Sequence, residues 1–166
     1  MEKKFIEIFT GLKRNFGFAK IEKGYTDPET GKLKLKPGDY GWSSRPIEEK
    51  DYLEHLSGKK SIGIQPCDDE GMAKFGAIDI DHYKNFSPKK YLDTIKEHNI
   101  PVIPCKSKSG GLHIYVFLKE PIKATIIRNF LSTLLFTFGL KAKTEIFPKQ
   151  TELGEDDKGN LQNGHF

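Results

Sequence analysis

The chain has few cysteines, few arginines and no long apolar run, and each scarcity excludes a class of protein. Its only cysteines are Cys67 and Cys105, which lack both the CxxC spacing of a zinc site and the density of a disulfide scaffold. No apolar stretch reaches the length that crosses a bilayer, and the N-terminus has no signal-peptide core. We therefore expect a cytoplasmic protein with reduced thiols and no membrane partner.

Charge gives a weaker indication. Lysine and arginine number 27 against 23 aspartates and glutamates, so the formal net charge is +4. This balance slightly favours polyanionic partners, but an ordinary charged surface explains it equally well. Arginine occurs only at Arg14, Arg45 and Arg128. Phosphate binding would therefore depend mostly on lysine, which lacks the bidentate fork of arginine.

The order of patterned segments predicts one mixed α+β domain over residues 1–166, as a piece of a longer polypeptide. A helix or strand is expected at 5–9. Further helices are expected at 46–58, capped by Ser44, at 88–98, capped by Ser87, and at 123–138. Strands are expected at 16–21, 60–65, 102–106, 112–118 and 143–146, and in a segment that ends at Asp81. The strand at 60–65 and the one ending at Asp81 are expected to form a hairpin, and residues 20–36 a basic hairpin or loop.

Two carboxylates close an apolar run at 77–81, which reads Ala-Ile-Asp-Ile-Asp. In a strand, residues two apart share a face, so Asp79 and Asp81 would project together. At an effective dielectric near 20, two such charges about 4 Å apart repel by roughly 4 kcal/mol. A shared proton or a bound cation relieves that repulsion, and a divalent metal would give the pair a function.

A small-residue turn precedes the strand at 112–118. It carries candidate phosphate ligands, which are Lys106, Ser107, Ser109, Gly110 and His113. Glycines let a backbone approach a phosphate closely, and the lysine, hydroxyl and imidazole groups supply donors. His113 would share a face with Tyr115 and Phe117. The P-loop spacing is absent, and a plain glycine hairpin followed by a half-buried histidine remains an alternative.

Glu145 is the third candidate acid, in a short strand that Lys149 and Gln150 follow. A single glutamate in such a strand is usually a surface residue. It gains meaning only if its strand pairs beside Asp79 and Asp81, where it would complete a site for two divalent cations. Lys149 would then reach a phosphate, whereas a solvated loop is the alternative.

The combined pattern resembles the archaeo-eukaryotic primase superfamily. Its three motifs, hydrophobic-DxD/E, sxH and hydrophobic-D/E, match Asp79 with Asp81, Gly111-Leu112-His113 and Glu145. Flanking segments at 55–58, 62–66, 107–118 and 145–150 resemble in particular the primase domains of TOTE conflict systems and CRISPR-associated primase-polymerases. Such relatives often carry cysteines near the N-terminal part, which this chain lacks.

The resemblance implies an α+β fold, with an RRM-like catalytic sheet packed beside an N-terminal α/β unit. It implies primer synthesis and extension on a single-stranded DNA template from NTPs or dNTPs, and further domains or CRISPR proteins on the same polypeptide. Asp79, Asp81 and Glu145 would be catalytic and hold two Mg²⁺ or Mn²⁺ ions. His113 and Ser109 would bind the triphosphate, with Lys106, Ser107 and Lys149 nearby, and the basic segment at 20–36 with Tyr40 and Trp42 would hold the template.

Two other functions remain open. A metal-dependent nuclease uses the same residue types, with His113 as a base for water. A polymerase lengthens a primer and a nuclease shortens it. An RNA-binding module is the other alternative, but the weak Phe-Gly-Phe-Ala likeness to an RNP motif at 16–19 leaves the three acids unexplained.

Overall fold

The computed structural model describes residues 2–19, 25–29, 33–34, 40–81, 87–107 and 110–154. Within these ranges the helices are α1 (Glu2–Ile8), α2 (Glu49–Leu56), α3 (Lys89–Glu97) and α4 (Ala124–Thr137). The strands are β1 (Gly17–Ala19), β2 (Tyr25–Thr26), β3 (Leu33–Lys34), β4 (Tyr40–Trp42), β5 (Ser61–Gly63), β6 (Met72–Ile80), β7 (Ile103–Lys106), β8 (Leu112–Lys123) and β9 (Glu145–Phe147). The predicted α+β class is confirmed.

The strands of the described ranges form antiparallel sheets. The largest has four strands in the order β7-β8-β6-β9, so that β6 lies between β8 and β9. A three-stranded sheet, in the order β4-β1-β5, belongs to the N-terminal part of the chain, and β2 pairs with β3. From β6 onward the chain alternates as strand, helix, strand, strand, helix, strand.

The two faces of the four-stranded sheet differ because side chains alternate along its strands. Ile78 and Ile114 are fully buried on one face, where they form a core with α4 residues such as Ile127 and Leu131. The opposite face carries aromatic rings against which the N-terminal Phe9 packs edge-on. One face therefore supplies the core, and the other meets the N-terminal part of the chain.

The predicted hairpin between the 60–65 strand and the strand ending at Asp81 is wrong. β5 pairs with β1 instead, and β6 is the central strand of the other sheet. The segment between β5 and β6 is bound to the N-terminal part of the chain, since the Leu12 amide donates to the Gln65 carbonyl at 2.9 Å. The turn itself exists, because Asp68 Oδ1 accepts from the Glu70 and Met72 amides. A local apolar pattern marks a strand but does not specify its partner.

Some helix and strand limits also differ from those expected. α2 begins at Glu49 rather than after a Ser44 cap, because Glu48 and Asp51 form a capping box in which the Glu48 amide donates to Asp51 Oδ2. α3 follows Pro88, which takes the cap position expected for Ser87. β8 continues to Lys123, and the last strand lies at Glu145–Phe147 rather than 143–146.

The N-terminal limits and the predicted basic hairpin can be compared only in part. The segment expected at 5–9 is helical in α1, and β1 is shorter than the expected strand at 16–21. β2 and β3 pair antiparallel, as a hairpin requires, but most of residues 20–36 lies outside the described residues. Across the described part of the chain, every helix is too short or too polar to cross a membrane.

Candidate active site

The candidate residues form a row across three neighbouring strands of the four-stranded sheet, which are β8, β6 and β9. Asp79 on β6 lies directly opposite His113 on β8 and Glu145 on β9. Directly opposed residues of antiparallel strands project from the same face, so these three side chains share one face. Asp79 Oδ1 lies 3.3 Å from His113 Nε2, which is ion-pair distance. The register thus joins the three separate motifs at one position of the sheet.

Asp81 joins the other two acids at the end of β6. It is the first residue beyond the strand and is exposed. Asp79, Asp81 and Glu145 together line a cavity of about 330 Å³, to which Lys141 and Lys143 also contribute. The structure therefore brings all three predicted acids to one cavity, with two lysines at its wall.

The donor set of this cavity fits a hard divalent cation, which prefers carboxylate oxygens. Asp79 Oδ1 is buried and makes no hydrogen bond within the described residues, since its approach to His113 lacks hydrogen-bond angles. A buried oxygen of this kind costs free energy until a cation or donor meets it. Among the described residues no three acid, histidine or cysteine side chains already surround one point. The three carboxylates therefore line one cavity but do not converge on a single point in it.

The turn before β8 is tight and mostly internal. The Ser107 amide donates to the Gly111 carbonyl, and the Gly110 amide donates to the Ser107 carbonyl. Ser107 is buried, whereas Gly110 is exposed with a φ of +93° that favours glycine. A Cβ on Gly111 would lie 2.3 Å from the Ile80 carbonyl oxygen, so the turn packs against the end of β6. Ser109 lies outside the described residues, and Lys106 is exposed at the end of β7.

Lys149 lies beside Glu145 rather than in an isolated loop. Its Nζ is 3.1 Å from Glu145 Oε1 and 5.1 Å from the centre of the Phe147 ring. Arg128 on α4 donates to the carbonyls of Pro148 and Lys149, so hydrogen bonds hold the chain after β9 against α4. Lys149 is thus held close to the acids and partly neutralises the third one.

The sequence motifs did not identify three residues of the site. Tyr115 places its hydroxyl 3.2 Å from His113 Nδ1, and Lys141 and Lys143 line the acidic cavity. The alternation of β8 put Tyr115 on the face of His113, which was the available signal. The two lysines precede β9 and gave no signal, because their place depends on the pairing of β9 with β6.

A second cavity opens on the same face of the sheet, and Asp79 lines both. It has a volume of about 540 Å³ and lies between the N-terminal part of the chain and the sheet. Its walls are mostly apolar and aromatic, with His55, Asp79 and His113 among its few polar groups. A mostly apolar cleft with a few convergent polar groups is typical of a small-molecule site.

The α+β fold and the acid-lined cavity are compatible with a primase-like nucleotidyltransferase. The family model of the archaeo-eukaryotic primase domain of TOTE conflict systems matches residues 18–163. The chain belongs to this family, which confirms the resemblance seen in the motifs. No curated protein matches the chain.

Proposed function

We propose that this domain transfers nucleotides from NTPs or dNTPs to a primer on a single-stranded DNA template and releases pyrophosphate. The proposal rests on the cross-strand row of His113, Asp79 and Glu145. Asp79 and Glu145 share one cavity with Asp81, while His113 lines the neighbouring cavity that Asp79 also borders. Family membership gives the general chemistry. That chemistry requires clustered carboxylates beside a group that donates a hydrogen bond to phosphate, and the row would supply both.

Asp79, Asp81 and Glu145 would hold Mg²⁺ or Mn²⁺, two ions in the proposed mechanism. When bound, such ions neutralise triphosphate charge and lower the pKa of the attacking hydroxyl. His113 would donate to a phosphate oxygen from the adjacent strand. Lys106, Lys141, Lys143 and Lys149 would add positive charge around the leaving pyrophosphate. Ser107, Ser109 and Gly110 of the turn would add neutral hydrogen-bond donors.

The bond changes balance without a redox partner. The primer 3′-oxygen forms a bond to the α-phosphorus of the nucleotide, and the bond from that phosphorus to the β-phosphate oxygen breaks. The hydroxyl proton leaves to solvent, and the electron pair departs with pyrophosphate. The residues of the chain then act by binding and orientation, which is the main contribution of proteins to phosphoryl transfer.

An RRM-like catalytic core is part of this proposal. The order of elements from β6 to β9, and the strand order β7-β8-β6-β9, support a split β-α-β-β-α-β arrangement. An RNA-binding RRM stacks bases on exposed aromatics of its sheet. Here Phe9 covers Tyr115 and Phe117 edge-on, at 5.5 and 5.1 Å between ring centres. This cover favours the catalytic interpretation over the binding module.

Template contact is proposed for the N-terminal sheet. Tyr40 on β4 is 59% exposed, so its ring is accessible for stacking on a base. Trp42 and Phe18 line a cavity of about 490 Å³ that Arg45 and Lys60 also border. Aromatic rings beside cations suit single-stranded nucleic acid.

A primer-extension assay tests the proposal. The protein is incubated with Mn²⁺, a labelled primer on a single-stranded template and either NTPs or dNTPs. We expect extension by the wild type and by the control Asp93→Asn, and none by Asp79→Asn or Asp81→Asn. A shortened primer instead of a lengthened one would identify a nuclease, and extension by both site variants would refute the proposal.

A further inference from the structure

Tyr115 contacts the imidazole of His113 from the side opposite Asp79. The Tyr115 hydroxyl lies 3.2 Å from His113 Nδ1, while Nε2 of the same ring lies 3.3 Å from Asp79 Oδ1. The two rings meet at 88° with their centres 5.8 Å apart. Each nitrogen of the histidine therefore has a different polar neighbour: Nδ1 is within hydrogen-bond distance of Tyr115, and Nε2 lies close to the carboxylate of Asp79.

These partners select one tautomer of the neutral ring. A carboxylate only accepts, so the negative charge of Asp79 at 3.3 Å disfavours a bare lone pair on Nε2 and favours a proton there, although the pair lacks hydrogen-bond angles. Nδ1 is then an acceptor, and the Tyr115 hydroxyl is its donor. Burial raises the pKa of Tyr115 to about 12, so the hydroxyl keeps its proton at neutral pH.

The Tyr115 ring is itself fixed by aromatic packing. It stacks on Phe117 at 17° with centres 5.6 Å apart. Phe9 meets both rings nearly at right angles, and Phe75 stacks beside Phe117. A ring held on several sides loses little further freedom when its hydroxyl bonds, so the hydrogen bond has a defined direction.

We propose that Tyr115 is a positioning residue, which fixes the Nε2–H tautomer and the orientation of His113. It touches neither substrate nor acid in this role and acts through the imidazole. The second partner of a functional histidine commonly sets its tautomer. The consequence for nucleotide binding rests on the proposed function, whereas the tautomer itself does not.

Tyr115→Phe removes the hydroxyl and keeps the stacked ring, so the fold is preserved. Tyr91→Phe is the matched control, because Tyr91 is a half-buried tyrosine that packs edge-on against Phe138 on the other side of the sheet. The first readout is the long-range ¹H–¹⁵N spectrum of His113 at mildly alkaline pH, assigned with a His113→Gln variant. The second is the KM and kcat for nucleotide in primer extension.

We expect the Nε2–H tautomer in the wild type and in Tyr91→Phe, and a mixture of tautomers in Tyr115→Phe. Loss of one neutral hydrogen bond should raise the nucleotide KM by about 2- to 10-fold, with a smaller change in kcat. An Nδ1–H wild type, or a Tyr115→Phe spectrum and KM that match wild type, overturns the proposal.

The two proposals fail in different ways. A wild type that never extends a primer but loses its tautomer preference in Tyr115→Phe refutes nucleotidyl transfer and keeps the positioning role. A wild type that extends primers while the spectrum of Tyr115→Phe stays unchanged refutes the positioning role alone. A changed spectrum with an unchanged KM refutes its consequence for nucleotide binding.

Discussion

Asp79 and Glu145 lie directly opposite each other on β6 and β9, at a distance in sequence that no local pattern spans. Their carboxylates share a face and a cavity with Asp81. Three acids at one cavity repel each other unless positive charge is near, and Lys149 contacts one of them, Glu145, at 3.1 Å. The arrangement is therefore expected to gain stability from a cation.

The first prediction concerns that gain. Added Mn²⁺ should raise the melting temperature of the wild type, because a ligand that binds only the folded state stabilises that state. At a hundredfold excess of the ion over its Kd, the free energy of unfolding rises by about 2.7 kcal/mol. Asp79→Asn should melt at or above the wild-type temperature without metal, since it removes one of the repelling charges, and should lose the response to Mn²⁺. Thermal unfolding with and without Mn²⁺ measures both.

Asp93→Asn is the control for this experiment, because Asp93 is an exposed partner of Lys89 on α3. Its response to Mn²⁺ should equal that of the wild type. An undiminished response in Asp79→Asn would show that the cation binds elsewhere.

The second prediction concerns the turn before β8. Gly111→Ala places a methyl group 2.3 Å from the Ile80 carbonyl oxygen, which is backbone and cannot move aside cheaply. The turn should shift away from the end of β6, with a loss of about 1–3 kcal/mol of stability and weaker nucleotide binding. Urea unfolding and titration with a fluorescent nucleotide measure the two effects.

Gly154→Ala is the matched control, since a Cβ there meets no atom of the described part of the chain within 4 Å. It should change neither stability nor nucleotide affinity measurably. Equal behaviour of the two variants would contradict the close approach of the turn to β6.

The sequence predicted what alternation along a single strand controls. It placed His113, Tyr115 and Phe117 on one face of β8, and the ring contacts confirm this. It also located the last long helix closely, because α4 has a clear apolar stripe and ends before Gly139 at a φ of +62°. Both are properties of neighbouring residues.

What the sequence did not predict depends on contacts between distant residues. The 60–65 strand joined β1 rather than β6, since its apolar pattern suits either partner. The burial of Asp51 in α2 depends on Arg45 and Lys60, which reach its carboxylate from separate segments. The lysines beside the acids were missed for the same reason, because only the register of β9 brings them there.

The third prediction separates the role of Lys149 in the site from its role in stability. Lys149 and Glu145 are both partly exposed, and such a pair contributes about 0–1 kcal/mol. Lys149→Gln should therefore change the free energy of unfolding by less than about 1 kcal/mol. It should raise the nucleotide KM, since the proposed phosphate site loses a charge.

Lys89→Gln removes another exposed pair, Lys89 with Asp93, four residues apart on α3, and neither residue lines the acidic cavity. It should match Lys149→Gln in stability and match the wild type in KM. Indistinguishable kinetics for the two lysine variants would remove Lys149 from the proposed phosphate site.

The fourth prediction concerns the buried carboxylate of the N-terminal part. Asp51 is fully buried, receives hydrogen bonds from Arg45 and Lys60, and also accepts from the Glu48 amide. The hydrogen bonds from Arg45 are the main cause that lowers the pKa of Asp51, and they outweigh the opposing effect of burial. Asp51→Ala leaves Arg45 and Lys60 without their shared partner. Because both cations are partly exposed and have Glu48 or Glu54 nearby, the loss should be about 1–3 kcal/mol, as for hydrogen bonds to a charged group.

The lowered pKa of Asp51 also gives a direction with pH. A carboxylate whose pKa is lower in the folded than in the unfolded state stabilises the fold above its unfolded pKa of about 3.9. That stability is lost as the pH falls from about 4 toward the folded pKa. Urea unfolding between neutral and strongly acidic pH should therefore show a steeper acid loss for the wild type than for Asp51→Ala. Asp93→Ala, which removes an exposed acid, should keep the wild-type slope; an equal slope in Asp51→Ala would mean that the buried ion pairs do not control acid stability.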